Sequence, residues 1–177
     1  MTELHTNPTQ LTGLFAFGLA VLACVFALRR GAGTRPWRRV TAWQAVCLVE
    51  VLVGFRHQAH DVVDALMQAN GWYADRGPLQ VALLVVVLIL AALTFVALRR
   101  LRGADAELRV AAIATAAALW LFVAEAVSLH AIDAVMYIHV GPVLLIGWCW
   151  AACAAVVVGA AMRAATLKRG NVPAPRR

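Results

Sequence analysis

The stretch 79–98, LQVALLVVVLILAALTFVAL, decides the fold because it carries no charge and is apolar apart from Gln80 and Thr94. A helix rises about 1.5 Å per residue, so this run is long enough to cross the roughly 30 Å hydrocarbon core of a bilayer. Similar apolar runs occur at roughly 11–28, 40–55, 108–129 and 142–165. The chain is 63% apolar, whereas soluble domains are typically about 45–50% apolar. The sequence therefore predicts an all-α polytopic membrane helix bundle of about five transmembrane helices.

The basic residues predict which side of the membrane each loop occupies. All 16 lysines and arginines except Arg56 and Arg76 lie between the first two runs, around the connection of the third and fourth, or at and after the end of the fifth. Basic loops are retained in the cytoplasm. We therefore expect the N-terminus outside and the C-terminus in the cytoplasm, which agrees with an odd number of spans. A bacterial inner membrane is the simplest setting, and charge divided among short loops argues against nucleic-acid binding.

The length predicts a single integral membrane domain. At 177 residues the chain has room for one helical domain, 1–170, and a short basic tail, 171–177, that we expect to be disordered. Arg29 and Arg30 follow the first apolar run instead of preceding it, so we expect this run to be an uncleaved span. The four cysteines fall inside predicted spans without a CxxC pair, and we interpret them as packing residues.

Two polar clusters interrupt the apolar pattern, both at the end of a span that lies away from the basic residues. The first is His57-Gln-Ala-His60-Asp61 with Asp64 after it, and the second is His130-Ala-Ile-Asp133. Ionisable residues in or beside hydrocarbon are costly. Several of them at one depth therefore indicate a functional site.

The depth of the two clusters is expected to be similar. Counted from the inner end of the second run, Glu50 lies roughly 17 Å and His57 roughly 27 Å along the helix. Counted in the same way along the fourth run, Glu125 lies roughly 26 Å and His130 roughly 33 Å. Glu50 and Glu125 are thus placed below the clusters, inside the membrane.

The helical period also predicts a shared face. The segment after the second run contains no helix breaker before Asn70, so we expect the second helix to continue to about residue 69. On such a helix one stripe would carry Glu50, Gly54, His57, Asp61 and Asp64, with His60 on its flank. The polar stripe would begin inside the membrane and run out through its surface.

The residue types in these clusters favour a transition metal. A His-x2-His pair places two imidazoles one turn apart, and a His-x2-Asp pair on a facing helix would complete a four-ligand shell. Nitrogen ligands with carboxylate suit iron, zinc or copper. The predicted metal ligands are His57, His60, Asp61, His130 and Asp133. Glu50 and Glu125 are the predicted catalytic residues, as proton carriers or as ligands of a second metal.

Three classes of function fit this pattern. The first is a small metal-dependent membrane oxidoreductase or hydrolase, acting at the extracytoplasmic interface on a lipid, quinone or other amphiphile. The second is a b-type haem protein with axial histidines from the second and fourth helices, although haem does not require so many carboxylates. The third is a proton or metal-ion carrier, or an accessory subunit of a larger membrane complex. A polar network that only holds the two helices together is the alternative without chemistry.

Overall fold

The fold is a bundle of long helices with one small hairpin. The computed structural model describes residues 7–32, 35–55, 58, 61–62, 65, 68–69, 77–127 and 134–170. The long helices are α1 (Pro8–Ala27), α2 (Arg35–Val53), α3 (Gly77–Arg99), α4 (Ala106–Val127) and α5 (Leu145–Gly170). An antiparallel hairpin of β1 (His139–Val140) and β2 (Val143–Leu144) precedes α5. The described chain is thus mostly helical, as the sequence predicts.

Four helices of the described chain are long and apolar enough to cross a membrane. They are Pro8–Ala32, Val81–Arg99, Ala106–Ala126 and Leu145–Leu167. The protein is therefore an integral membrane protein. The second predicted span is helical in α2, but Arg38, Arg39 and Glu50 leave this helix of 19 residues too polar to join the other four.

The core lies between α1, α2, α4 and α5. The largest contact joins α1 to α5, followed by the contact of α4 with α5 and that of α1 with α2. Small side chains line the facing helices: Ala20, Cys24 and Ala27 on α1, and Ala154 and Ala161 on α5, all at most 1% exposed. Their spacing of three, four or seven residues places them on one face of each helix. Small residues allow membrane helices to approach closely, and dispersion contacts then hold them together.

The third helix, α3, lies outside this core. It touches α4 only lightly, and its described side chains from 81 to 99 are exposed or half-exposed. Its polar residue Thr94 donates a hydrogen bond to the Leu90 carbonyl at 2.8 Å. Because that bond lies within the helix, the hydroxyl does not require a partner from another helix. The helix can therefore face hydrocarbon on nearly all sides.

Contacts at the helix ends establish the direction of each core helix. The Leu144 backbone N–H donates to Thr9 Oγ1 at 3.0 Å, so α1 and α5 begin at the same end. Arg163 Nη2 lies 3.8 Å from Glu107 Oε1, so α4 begins where α5 ends. We call the end that holds Arg163 and the connections 28–35 and 99–106 the arginine-rich end, and the opposite end the hairpin end. The basic residues within the described ranges are thus collected at one end, as the charge pattern predicts.

The second helix ends earlier than its sequence pattern predicts. It stops at Val53, and Gly54 follows with a left-handed φ of 69°. Described residues between 55 and 69 are helical again, and Gln58 Nε2 donates to the Val53 carbonyl at 3.2 Å. A left-handed residue turns the chain out of the helix axis. The described residues thus remain helical to residue 69, as predicted, but the helix is interrupted at Gly54, so the period that relates Glu50 to Asp61 does not pass through this residue.

The hairpin delays the start of the last helix. The apolar run predicts a span from residue 142, whereas Val143 pairs with Val140 across a tight turn. Gly141 in that turn has a φ of 67°, which a residue with a Cβ rarely adopts. Trp148 Nε1 donates to the Val140 carbonyl at 3.0 Å and ties the hairpin to the first turn of α5. The hairpin thus closes one end of the bundle.

Candidate functional site

The predicted site residues divide into two groups. Glu50, Asp61 and Glu125 belong to the described part of the chain, and Asp61 is an exposed residue beyond Gly54. The predicted ligands that lie outside the described residues are His57, His60, His130 and Asp133. Among the residues that are described, no group of three or more His, Cys, Asp or Glu side chains is arranged to hold a metal.

Glu50 and Glu125 lie at the hairpin end of two neighbouring helices. Glu50 is in the last turn of α2 and Glu125 is in the last turn of α4. Both side chains are half-buried, and Glu125 Oε2 is fully buried. A carboxylate loses hydration on burial, which disfavours its charged form unless other groups compensate. The helices thus place two costly acids near one end of the molecule.

A buried hydrogen bond joins these two helices near their middle. Gln44 Nε2 on α2 donates to Thr115 Oγ1 on α4 at 2.9 Å, and Thr115 Oγ1 donates to the Ala111 carbonyl at 2.7 Å. Gln44 is 0% exposed and Thr115 is 3% exposed. From this level Glu50 lies roughly 9 Å and Glu125 roughly 15 Å toward the hairpin end. The acids are therefore separated by only about 6 Å in depth.

We expect the Thr115→Val variant to lose about 1–2 kcal/mol of unfolding free energy, because it leaves the buried Gln44 amide N–H groups without their acceptor. Gln44 Oε1 is also buried, without a hydrogen-bond partner among the described residues. The Gln44→Leu variant removes donor and orphaned acceptor together at similar volume, so its change should stay within about 1 kcal/mol. Denaturation by dodecyl sulfate in detergent micelles, followed by circular dichroism, measures both.

Thr94→Val is the matched control for this pair, since the Thr94 hydroxyl bonds only within α3 among the described contacts. This variant should unfold like the wild type. We expect the loss of unfolding free energy to arise from the Gln44 amide that Thr115→Val leaves buried without an acceptor. A larger loss in Gln44→Leu than in Thr115→Val would therefore contradict the role assigned to the Gln44–Thr115 bond.

An aromatic layer lies directly below Glu125. The Phe122 ring centroid is 5.9 Å from that of Phe17 and 5.2 Å from that of Trp150. All three side chains are at most 8% exposed. A Cβ at Gly13 would stand 3.0 Å from the Trp150 ring, so α1 approaches α5 closely at this level. The bundle is therefore closely packed on the side of Glu125 that faces the arginine-rich end.

Sequence reasoning identified the two acids but missed what joins their helices. The signal was a single amide and a single hydroxyl, Gln44 and Thr115, each inside an otherwise apolar run. An isolated polar residue in a membrane helix commonly faces another helix. The cysteines Cys24, Cys47, Cys149 and Cys153 are free thiols, the first two buried and the others half-buried.

The fold and these contacts define a class: a small helical membrane protein with two half-buried acids at the end opposite its arginines. In comparisons with known proteins, no family model, no curated protein and no solved structure matches the chain. A proposal for its function must therefore rest on its own residues.

Proposed function

We propose that the protein is a small membrane metalloprotein, an oxidoreductase or hydrolase, with a His/carboxylate site at the extracytoplasmic interface of a bacterial inner membrane. The proposed ligands are His57, His60, Asp61, His130 and Asp133. One observation supports this proposal above others: α2 and α4 are neighbours joined by the Gln44–Thr115 bond, and both end at the hairpin end. The two segments that carry the proposed ligands thus follow the ends of two neighbouring helices.

Chain length limits how far these ligands can lie from the bundle. His57 follows the last residue of α2 by four positions, and His130 follows the last residue of α4 by three. An extended chain advances at most about 3.6 Å per residue, so the two Cα atoms lie within about 14 Å and 11 Å of their helix ends. That range is compatible with a shared metal, whose imidazole ligands bind at about 2.0–2.1 Å.

The proposed chemistry uses the two acids beside such a metal. A metal-bound water is a nucleophile near neutral pH in a hydrolase, and an iron or copper centre supports redox chemistry. Glu50 and Glu125 would accept and return protons, or bind a second metal. A lipid, a quinone or another amphiphile would reach the site laterally from the bilayer. The arginine-rich end would face the cytoplasm, as basic loops do.

Elemental analysis of the detergent-purified protein, after expression with added iron, zinc or copper, tests this proposal. We expect stoichiometric bound metal in the wild type. In His60→Ala and His130→Ala the metal affinity should fall at least about tenfold, because each variant removes a direct ligand. His139→Ala is the matched control, since His139 is an exposed residue of β1.

The visible spectrum and the helix content are measured on the same preparations. Metal-free wild type, or equal metal in His130→Ala and His139→Ala, would contradict the proposal. A Soret band lost in His130→Ala would instead favour the haem alternative. Assays with a quinol and with a phospholipid as substrates then separate oxidoreductase from hydrolase activity.

A further inference from the structure

A shallow groove of about 360 Å³ runs between α4 and α5 on the outside of the bundle. Its lining residues are Val110, Ile113, Ala114, Ala152, Cys153 and Val156. Val110, Ile113 and Val156 are 46%, 56% and 45% exposed, so the groove opens outward rather than into the core. In a membrane protein such a surface faces acyl chains.

The face of α5 that lines the groove also carries a charged residue nearer the arginine-rich end. Ala152, Val156, Gly159 and Arg163 follow one another at intervals of three or four residues, so they lie on one face of the helix. Gly159 is exposed, and a Cβ built on it would meet nothing within 4 Å. The groove is therefore not blocked between Val156 and Arg163.

Arg163 lies at the arginine-rich end of this path. Its contact with Glu107 is long, 3.8 Å, and 78% of the Arg163 side chain is exposed whereas only 14% of Glu107 is. A guanidinium carries five N–H donors, so most of them remain open to another acceptor. Arg109, on the first turns of α4, is exposed as well. The arginines at this end of the bundle outnumber its acids, Asp105 and Glu107, so the groove leads to a positively charged end.

We propose that this groove binds a phospholipid with an anionic headgroup, with one acyl chain between α4 and α5 and the phosphate against Arg163. Charge complementarity supports this occupant, since guanidinium groups bind phosphate through several N–H donors. The dimensions agree too: from Arg163 to Ala152 the helix rises roughly 17 Å, about the depth of one leaflet. The site lies at the end opposite the proposed metal ligands and does not depend on them.

Native mass spectrometry from detergent tests this site, with phosphatidylglycerol and phosphatidylcholine of identical acyl chains as the probes. We expect the wild type to retain phosphatidylglycerol more strongly. Arg163→Gln should lower the affinity for phosphatidylglycerol about fivefold, because one basic residue near an anionic lipid contributes about that factor. Ala152→Phe fills the groove and should lower the affinity for both lipids. Arg38→Gln, which removes an exposed arginine of α2, is the charge-matched control and should bind like the wild type.

Glu107→Gln separates lipid binding from a structural role of the Arg163–Glu107 pair. It releases Arg163 from its acidic neighbour, so phosphatidylglycerol should bind as tightly as in the wild type or more tightly. The proposal would be overturned if the wild type retained the two lipids equally, or if Arg163→Gln and Arg38→Gln had equal effects. Weaker phosphatidylglycerol binding in Glu107→Gln than in the wild type would overturn it as well. A wild-type dimer that Ala152→Phe dissociates would also overturn it, because the groove would then be a protein interface.

Discussion

Replacement of Trp150 by alanine should lower the free energy of unfolding by about 3 kcal/mol, in the range for buried aromatic residues. Trp150 is 2% exposed and has the largest of the fully buried side chains in the described part of the chain. It contacts the Phe122 ring from α4 and lies against Gly13 of α1. Helix association inside a membrane depends on packing, so the cavity removes contacts that lipid does not replace. Three helices would lose their shared contact at once.

Trp43→Ala is the matched control, because Trp43 is 50% exposed on α2. Its effect should remain within about 0.5 kcal/mol, as for other exposed positions. Denaturation by dodecyl sulfate in detergent, followed by circular dichroism, compares the two variants under identical conditions. Similar losses in both would mean that Trp150 does not hold α1, α4 and α5 together.

Gly147→Ala should be the second large effect, a loss of about 1–3 kcal/mol through overpacking. A Cβ at this position would stand 2.7 Å from Val143 Cγ1 and 2.9 Å from Thr9 Cγ2. Both neighbours are β-branched and have few alternative rotamers. Thr9 is held further by the bond that its hydroxyl accepts from the Leu144 N–H. The hairpin and the start of α1 would therefore have to move away from α5.

Gly18→Ala is the control for this variant. No atom lies within 4 Å of a Cβ built on Gly18, which is in the middle of α1. Alanine in place of a helical glycine contributes up to about 1 kcal/mol, so Gly18→Ala should be neutral or stabilised. Gly147→Ala should have the same gain in helix propensity. The difference in unfolding free energy between the two variants therefore measures the steric cost of the Cβ at position 147. A difference near zero would contradict the close approach at Gly147.

The positions of the long helices could be predicted from the sequence because the bilayer imposes a simple rule. An apolar run of spanning length must form a helix, since its backbone has no water to bond. All five runs are helical over most of their length, and four of the helices are long and apolar enough to span. The rule applies less well to α2, because its arginines and Gln44 make this helix less apolar. The position of α2 therefore depends more on its contacts with α1 and α4.

Two local features could not be obtained from the apolar period. Gly54 looks like a tolerated glycine in a helical pattern, but its left-handed φ ends α2. The pair Val140 and Val143 looks like the beginning of a span, but Gly141 turns the chain between them. In both cases a glycine permits a backbone conformation that hydrophobicity does not report. In both places the sequence signal for a break was the glycine itself, and in the hairpin Gly141 is also followed by a proline.

For the candidate site, the sequence predicted the depth of the acids and a pairing of the second and fourth helices, but not the contacts that hold these helices together. Rise per residue placed Glu50 and Glu125 near one end, where the structure describes both as half-buried. Which helices are adjacent depends on side-chain packing and on the buried bond of Gln44 with Thr115, which periodicity does not contain. The predicted shared stripe assumes one straight helix, which Gly54 interrupts, and its residues His57 and Asp64 lie outside the described residues. The ligand set remains a prediction for the metal analysis to test.

The large contact between α1 and α5 has a consequence for biosynthesis. These are the first and last helices described, and they run in the same direction. While the ribosome is still making the chain, α1 is in the membrane and its principal neighbour does not yet exist. Gly13, which lies against Trp150 of α5 in the finished bundle, has no such neighbour during that interval. The part of the core between α1 and α5 can therefore form only after the final helix has been made.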